Sequence, residues 1–282
     1  MKLHVIDTGF FKLDGGAMHG VVPKSLWSKE NIPDANNMCN WAMRCLLVED
    51  GERLILIDNG MGDKQDAKFF GHYFLNGDAT LEKSLRAKGF DFSDITDMFL
   101  THLHFDHCGG SIKYNEDRSK LLTTFPNATY WSNETHWEWA TKPNAREKAS
   151  FLKENILPIK ESGQLKFLKE GEELIPGFKP FWVNGHTGAM MLPQISYKGK
   201  TVVYMADLLP SAAHIPLPWI MGYDVRPLIT LSEKEKFLPQ AAKENFVLFF
   251  EHDGINECCT VQETEKGVRV NQKFLLDDYF GR

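Results

Sequence analysis

Short apolar runs recur along this chain at 3–6, 42–48, 54–57, 98–101, 128–131, 180–183, 194–197, 201–206 and 247–251. Each is rich in aliphatic, β-branched or aromatic residues and bounded by Gly, Asn, Asp or Pro, which predicts strands. Tyr197-Lys198-Gly199-Lys200, between two of these runs, reads as a hairpin turn. Helical spacing appears at 80–88, where Leu81 and Leu85 share a face and Gly89 follows. It appears again at 133–141, behind a Ser-Asn start, at 146–155, and at 232–243, where Ser232 and Glu235 have capping-box spacing. Strands towards both ends with helices between them predict an α/β fold of two packed sheets with helices outside. No repeat, low-complexity tract or linker divides the chain. Residues 1–282 are therefore read as one domain, with a helical subregion near 133–165.

Several of the predicted strands end in potential metal ligands. The run at 98–101 opens into His102-Leu103-His104-Phe105-Asp106-His107-Cys108-Gly109-Gly110. Three imidazoles and a carboxylate within six positions, at the mouth of a strand, can converge on a small volume. Such donors suit zinc and other first-row divalent ions. Four of them, with more further on, exceed what one ion takes. His186 follows the strand at 180–183 and lies between Gly185 and Thr187-Gly188, where the backbone can bend sharply near a ligand. Asp207 follows 201–206, and a carboxylate at the end of a buried strand needs a partner or a cation. It is read as a bridging ligand. His252 follows 247–251 as a fifth candidate imidazole, and Asp58 follows 54–57 as an acid that could orient a ligand histidine.

Composition narrows the partners. The chain is 43% hydrophobic and 25% charged, with a net charge of −6 and no long basic run, which argues against a nucleic-acid partner. Its five cysteines are an odd number without framework spacing. The N-terminus lacks an apolar signal core, and no run approaches the ~18 apolar residues of a membrane span. A cytoplasmic, reducing setting is expected, with no membrane partner. Cys108 is read as a core thiol beside the metal motif, and Cys258-Cys259 as part of a strand.

The ordered set H-x-H-x-D-H, G-H-T, strand-end Asp and strand-end His resembles the metallo-β-lactamase superfamily over residues 58 to 252. The resemblance implies a four-layer αβ/βα sandwich with two divalent metal ions, most simply zinc, although iron, manganese or cobalt suit the same donors. Under it, His102, His104 and His186 hold one ion, Asp106, His107 and His252 hold the other, and Asp207 bridges them. True β-lactamases lack that bridging aspartate, flavodiiron proteins carry a glutamate at the position of His104, and the glutathione-binding residues of glyoxalase II have no match.

The segments 13–27 and 206–221 are similar to quorum-quenching N-acyl homoserine lactonases of the AidC and YtnP kinds, and in part to methyl parathion hydrolase-like proteins. This implies opening of a lactone ring by a metal-bridging hydroxide, with Asp106 as the catalytic proton carrier. Met18, His214, Trp219, Met221 and Tyr223 are the candidate contacts for an apolar acyl chain or the ring. Two departures stand out. His19 replaces a phenylalanine common in that branch, and Pro210 occupies the place of its catalytic tyrosine, a role left open between Tyr223 and His214. A phosphotriesterase or other esterase of the same superfamily, and a non-catalytic metal-binding module, are the competing readings. A homodimer is compatible with the sequence.

Overall fold

A computed structural model describes residues 1–281. The first sheet contains β1 (Lys2–Asp14), β2 (Met38–Asp50), β3 (Arg53–Ile57), β4 (Asp97–Phe99), β7 (Thr129–Ser132) and β8 (Leu165–Phe167), in the order β1-β2-β3-β4-β7-β8. A small ribbon, β5 (Ile112–Tyr114) and β6 (Leu121–Thr123), lies outside it. The second sheet runs β14-β13-β12-β11-β10-β9. Its strands are β9 (Phe178–Val183), β10 (Met190–Tyr197), β11 (Lys200–Tyr204), β12 (Val247–Phe249), β13 (Cys258–Thr264) and β14 (Gly267–Phe274). Helices α1 (Gly15–His19), α2 (Lys24–Trp27), α3 (Ala67–Tyr73), α4 (Leu81–Ala87) and α5 (Phe105–Cys108) precede α6 (Glu134–Thr141), α7 (Lys153–Glu161), α8 (Pro227–Lys243) and α9 (Leu276–Phe280).

Contacts divide the chain into two compact units, one of residues 1–9 and 43–170, the other of residues 10–42 and 171 onward. In the first, β3, β4, β7 and β8 are parallel, while β2 and β3 are antiparallel. Parallel strands need crossover segments, which α4, α6 and α7 occupy. Leu56, Met98 and Tyr130 pack with Leu85, Trp137, Ile156 and Ile159 in one buried cluster. In the second unit, β11 and β12 are the parallel pair, and their crossover contains α8. Tyr204 stacks on Phe249 across that pair, and Phe181 stacks on Phe237 of α8.

Each of the nine predicted strands has its counterpart, and the 197–200 turn joins β10 to β11 with Tyr197 opposite Lys200. α4 carries Thr80 as its cap, accepting from the Lys83 N–H, and Asn133 caps α6 in the same way through the His136 N–H. Two helical readings need correction. The 146–155 segment is largely turn, and its helix is displaced to Lys153–Glu161. Ser232 and Glu235 do not start a helix either. α8 begins five residues earlier with Pro227 in its first turn, and the Ser232 hydroxyl donates to the Ile229 carbonyl inside it. Proline needs no N–H partner in a first turn, so it begins the helix before the serine is reached. Among the described residues, no helix is long and apolar enough to cross a membrane.

Candidate metal centre

In the first unit, β3 and β4 are parallel neighbours with Ile57 opposite Phe99, so 58 and 100–102 leave the sheet side by side. Asp58 adopts φ 55°, a conformation an L-residue holds at some cost, and this aims its carboxylate at the loop. It accepts from the Thr101 N–H at 2.8 Å and the Thr101 hydroxyl at 2.6 Å, and it faces His107 Nδ1 at 3.1 Å. A carboxylate only accepts, so His107 keeps its proton on Nδ1 and presents the Nε2 lone pair, 3.9 Å from Asp106 Oδ2. The Thr101 hydroxyl proton is committed to Asp58, so its oxygen accepts from His102 Nδ1 at 3.1 Å. That leaves His102 Nε2 as the nitrogen that could coordinate an ion, 3.1 Å from His104 Nδ1.

The glycines after the motif have a steric reason. A Cβ on Gly109 would lie 2.1 Å from the Met61 carbonyl oxygen, and one on Gly110 2.3 Å from that of Asn59. The 59–64 segment runs against the loop here. The Asn59 N–H donates to the His107 carbonyl, and the buried Lys64 ammonium donates to that of Gly109. Cys108 is buried and its thiol lies 3.4 Å from the Leu103 carbonyl oxygen. Burial pushes it up to about 12, away from the thiolate a metal would need.

In the second unit, β9 ends at Val183 and delivers His186 through a turn gripped by α8. Glu233 accepts the N–H groups of Asn184 and Gly185, and a Cβ on Gly185 would meet the Thr230 backbone nitrogen at 2.3 Å. The parallel pair β11 and β12 sends Asp207 and His252 off adjacent strand ends, with Ala206 at φ 39° just before the acid. His252 Nδ1 donates to the Ala42 carbonyl at 2.8 Å, and His186 Nδ1 donates to Asp224 at 2.9 Å. Their Nε2 atoms face the two oxygens of Asp207, at 3.1 Å for His252 and 3.0 Å for His186.

Carboxylate oxygens and imidazole lone pairs repel at such distances unless a proton or a cation lies between them. Burial opposes charge on His186, yet Asp207 and Asp224 outweigh it and raise the group to about 10. Asp207 with His186 and His252 is thus a set of groups that could hold a cation, and imidazole nitrogens with a carboxylate are the donor chemistry of a first-row divalent ion.

A sequence model of the family described as the metallo-beta-lactamase superfamily matches residues 44–252, well over half the chain. The chain belongs to the metallo-beta-lactamase superfamily. It has that fold, with two large mixed sheets. A probable metal-dependent hydrolase from Staphylococcus aureus matches with a TM-score of 0.88 and 27% identity, over 97% of this chain and 96% of that one. AidC, a dizinc quorum-quenching lactonase solved with the product N-hexanoyl-L-homoserine, matches with a TM-score of 0.78 and 25% identity over 98% and 97%. The N-acyl homoserine lactonase AiiA of Bacillus thuringiensis subsp. kurstaki is 23% identical over 97% of this chain and 98% of its own length. Membership of the superfamily makes the chain a metal-dependent hydrolase by class.

The remaining candidates in this superfamily member lie in the second unit. His214 Nε2 donates to the Met18 carbonyl at 2.9 Å, and its Nδ1 accepts from the Ser211 hydroxyl at 2.8 Å. Its ring stacks on His19 at 4.8 Å, His19 stacks on Trp27, and Trp219 meets His19 edge-on. Met18 and Met221 are buried nearby in sequence, and the Gly222 N–H donates to the Ala17 carbonyl, tying the 17–19 and 219–222 segments together. Tyr223 stands out as the exposed member of the set, at 41%.

Sequence reasoning missed Asp224, Glu233, the Ala42 carbonyl and His136, whose Nε2 accepts from the Leu103 N–H at 2.8 Å between two metal-motif histidines. None is close in sequence to what it holds. It also passed over Tyr73, whose hydroxyl burial pushes up to about 12 with the charge of Asp106 adding to the rise, so it stays a donor.

His19 supplies a pH-dependent prediction. Burial pushes it down to about 4 against an opposing hydrogen bond to Asn31. The fold holds the neutral ring, so its stability is complete above pH 6.5 and is lost as pH falls from 6.5 towards 4, where the unfolded chain takes the proton first. His19→Phe keeps the stack and removes the titration. Urea denaturation at pH 7 and pH 5 is expected to show a stability loss smaller in the variant by roughly 2 kcal/mol. Equal losses in both proteins would refute the assignment.

Proposed function

We propose that this chain opens the ring of N-acyl homoserine lactones at a centre of two divalent ions, with zinc as the first choice. In this reading His102, His104 and His186 would hold one ion, Asp106, His107 and His252 would hold the other, and Asp207 would serve both. The observation that carries the reading is Asp207, whose two oxygens face imidazole nitrogens with protons committed elsewhere. Substrate class is supported by relatives named N-acyl homoserine lactonases that align over nearly the whole chain, and by a lactonase structure that holds a product of this type.

Divalent ions held by these residues would lower the pKa of a water towards ~7 and polarise an ester carbonyl. The chain's own residues do the rest. Asp58, Asp224 and the Ala42 carbonyl hold three imidazoles in the coordinating tautomer. Asp106, 8% exposed, takes the proton released by the attacking water and returns it to the ring oxygen as the acyl–oxygen bond breaks. Met18, Trp219 and Met221 receive the acyl chain, each buried CH₂ contributing ~0.8 kcal/mol. The zinc-loaded protein is expected to hydrolyse N-hexanoyl homoserine lactone well above its rate on paraoxon or a thioester. Efficient paraoxon turnover with an inert lactone would replace this reading with a phosphotriesterase.

A further inference from the structure

His104 decides what the first half of the centre is. Its Nδ1 lies 3.1 Å from His102 Nε2, which is an acceptor because the His102 proton faces the Thr101 hydroxyl oxygen. A proton on His104 Nδ1 would close a plain hydrogen bond between the rings, and neither nitrogen could coordinate. A proton on Nε2 would instead set two lone pairs face to face, an arrangement that calls for a cation.

Glu147 discriminates between the two. Its Oε1 lies 3.6 Å from His104 Nε2, and both side chains are more than nine-tenths buried, Glu147 at 3% and His104 at 7% exposure. Its Oε2 accepts from Trp139 Nε1 at 2.8 Å and from Asn144 Nδ2 at 2.6 Å, so the carboxylate cannot turn away. A carboxylate facing a ring nitrogen favours a proton on that nitrogen. We propose that Glu147 is a positioning residue that keeps the His104 proton on Nε2 and thereby makes His104 Nδ1 and His102 Nε2 a two-nitrogen grip for a divalent cation.

The inference rests on the metal-centre reading above and assigns a task to the helical subregion. Besides Glu147, that subregion supplies the Ser150 carbonyl, which accepts from the Phe105 N–H at 3.0 Å. It also places the Phe151 ring 4.7 Å from that of His104. The α6-to-α7 stretch thus acts as a buttress for the metal loop.

The test is Glu147→Gln. Trp139 and Asn144 are donors, so they hold the amide oxygen where Oε2 lay and turn the amide NH₂ towards His104. A donor there favours a proton on Nδ1. Long-range ¹H–¹⁵N spectra of the metal-free protein are expected to find the His104 proton on Nε2 in the wild type and on Nδ1 in the variant. Zinc affinity, by chelator competition, is expected to fall about 10- to 100-fold. A wild type protonated on Nδ1 would overturn the proposal, as would a variant with unchanged tautomer and zinc affinity. Should the variant not fold, the wild-type spectrum decides alone. An Nε2-protonated wild type that takes up no zinc would instead overturn the metal centre itself, and the grip with it.

Discussion

Asp207→Ala is expected to lose bound zinc and to lower kcat/KM on N-hexanoyl homoserine lactone by about 10³-fold or more, equivalent to about 4 kcal/mol of transition-state stabilisation. The reason lies in the two contacts of its carboxylate, at 3.0 Å to His186 Nε2 and 3.1 Å to His252 Nε2. Removing it deletes the one anion that both imidazoles share. Asp207→Asn separates this role from folding. Its amide preserves volume and donates to one of the two nitrogens, so the fold is expected to survive while one of the two carboxylate oxygens is gone. Metal content by elemental analysis, alongside lactone turnover, checks both variants. Full zinc content with undiminished turnover in either would exclude Asp207 from the centre.

Lys234→Met is expected to cost roughly 3 kcal/mol or more, the largest stability effect of any single change proposed for this chain. Lys234 is fully buried, and its ammonium donates to the carbonyls of His214, Pro216 and Trp219 at 2.7, 3.0 and 2.8 Å. These three carbonyls line the inside of the loop that presents Trp219. Methionine fills the volume of the stem but offers no donor, so all three acceptors lose their partner in a buried place. Burial also pushes the amine down to about 7. Between pH 7 and 10.5 the unfolded chain therefore binds more protons than the folded one, and wild-type stability gains with rising pH from this group. Urea titrations across that window should find the gain in the wild type and not in Lys234→Met. A variant within 1 kcal/mol of wild type at pH 7 would contradict the account.

Legibility followed distance along the chain. The strands were visible because each is an apolar run with turn residues at its ends, and the donors were visible because strands deliver them at those ends. His102, His104, Asp106 and His107 needed only local reading. Asp58 was legible as a support because it too closes an apolar run. α8 misled because Pro227 starts it before Ser232, so a sequence pattern that resembles a cap lies inside the helix. The 146–155 segment misled because the Asn144 side chain turns the chain, its Oδ1 accepting from the Arg146 and Glu147 N–H groups.

Residue order alone therefore determined the α/β class, the strand-end chemistry and the membership those motifs signal, since each depends on periodicity or spacing within a few residues. Tertiary structure alone decided which nitrogen of each imidazole is held by a hydrogen bond and which is left as the candidate ligand. His252 is set by a carbonyl 210 positions away, His186 by an acid 38 positions on, and the 214–219 loop by a lysine that returns from α8. A hydrogen bond depends on distance and direction in space, and only the folded backbone brings such separated partners within 3 Å.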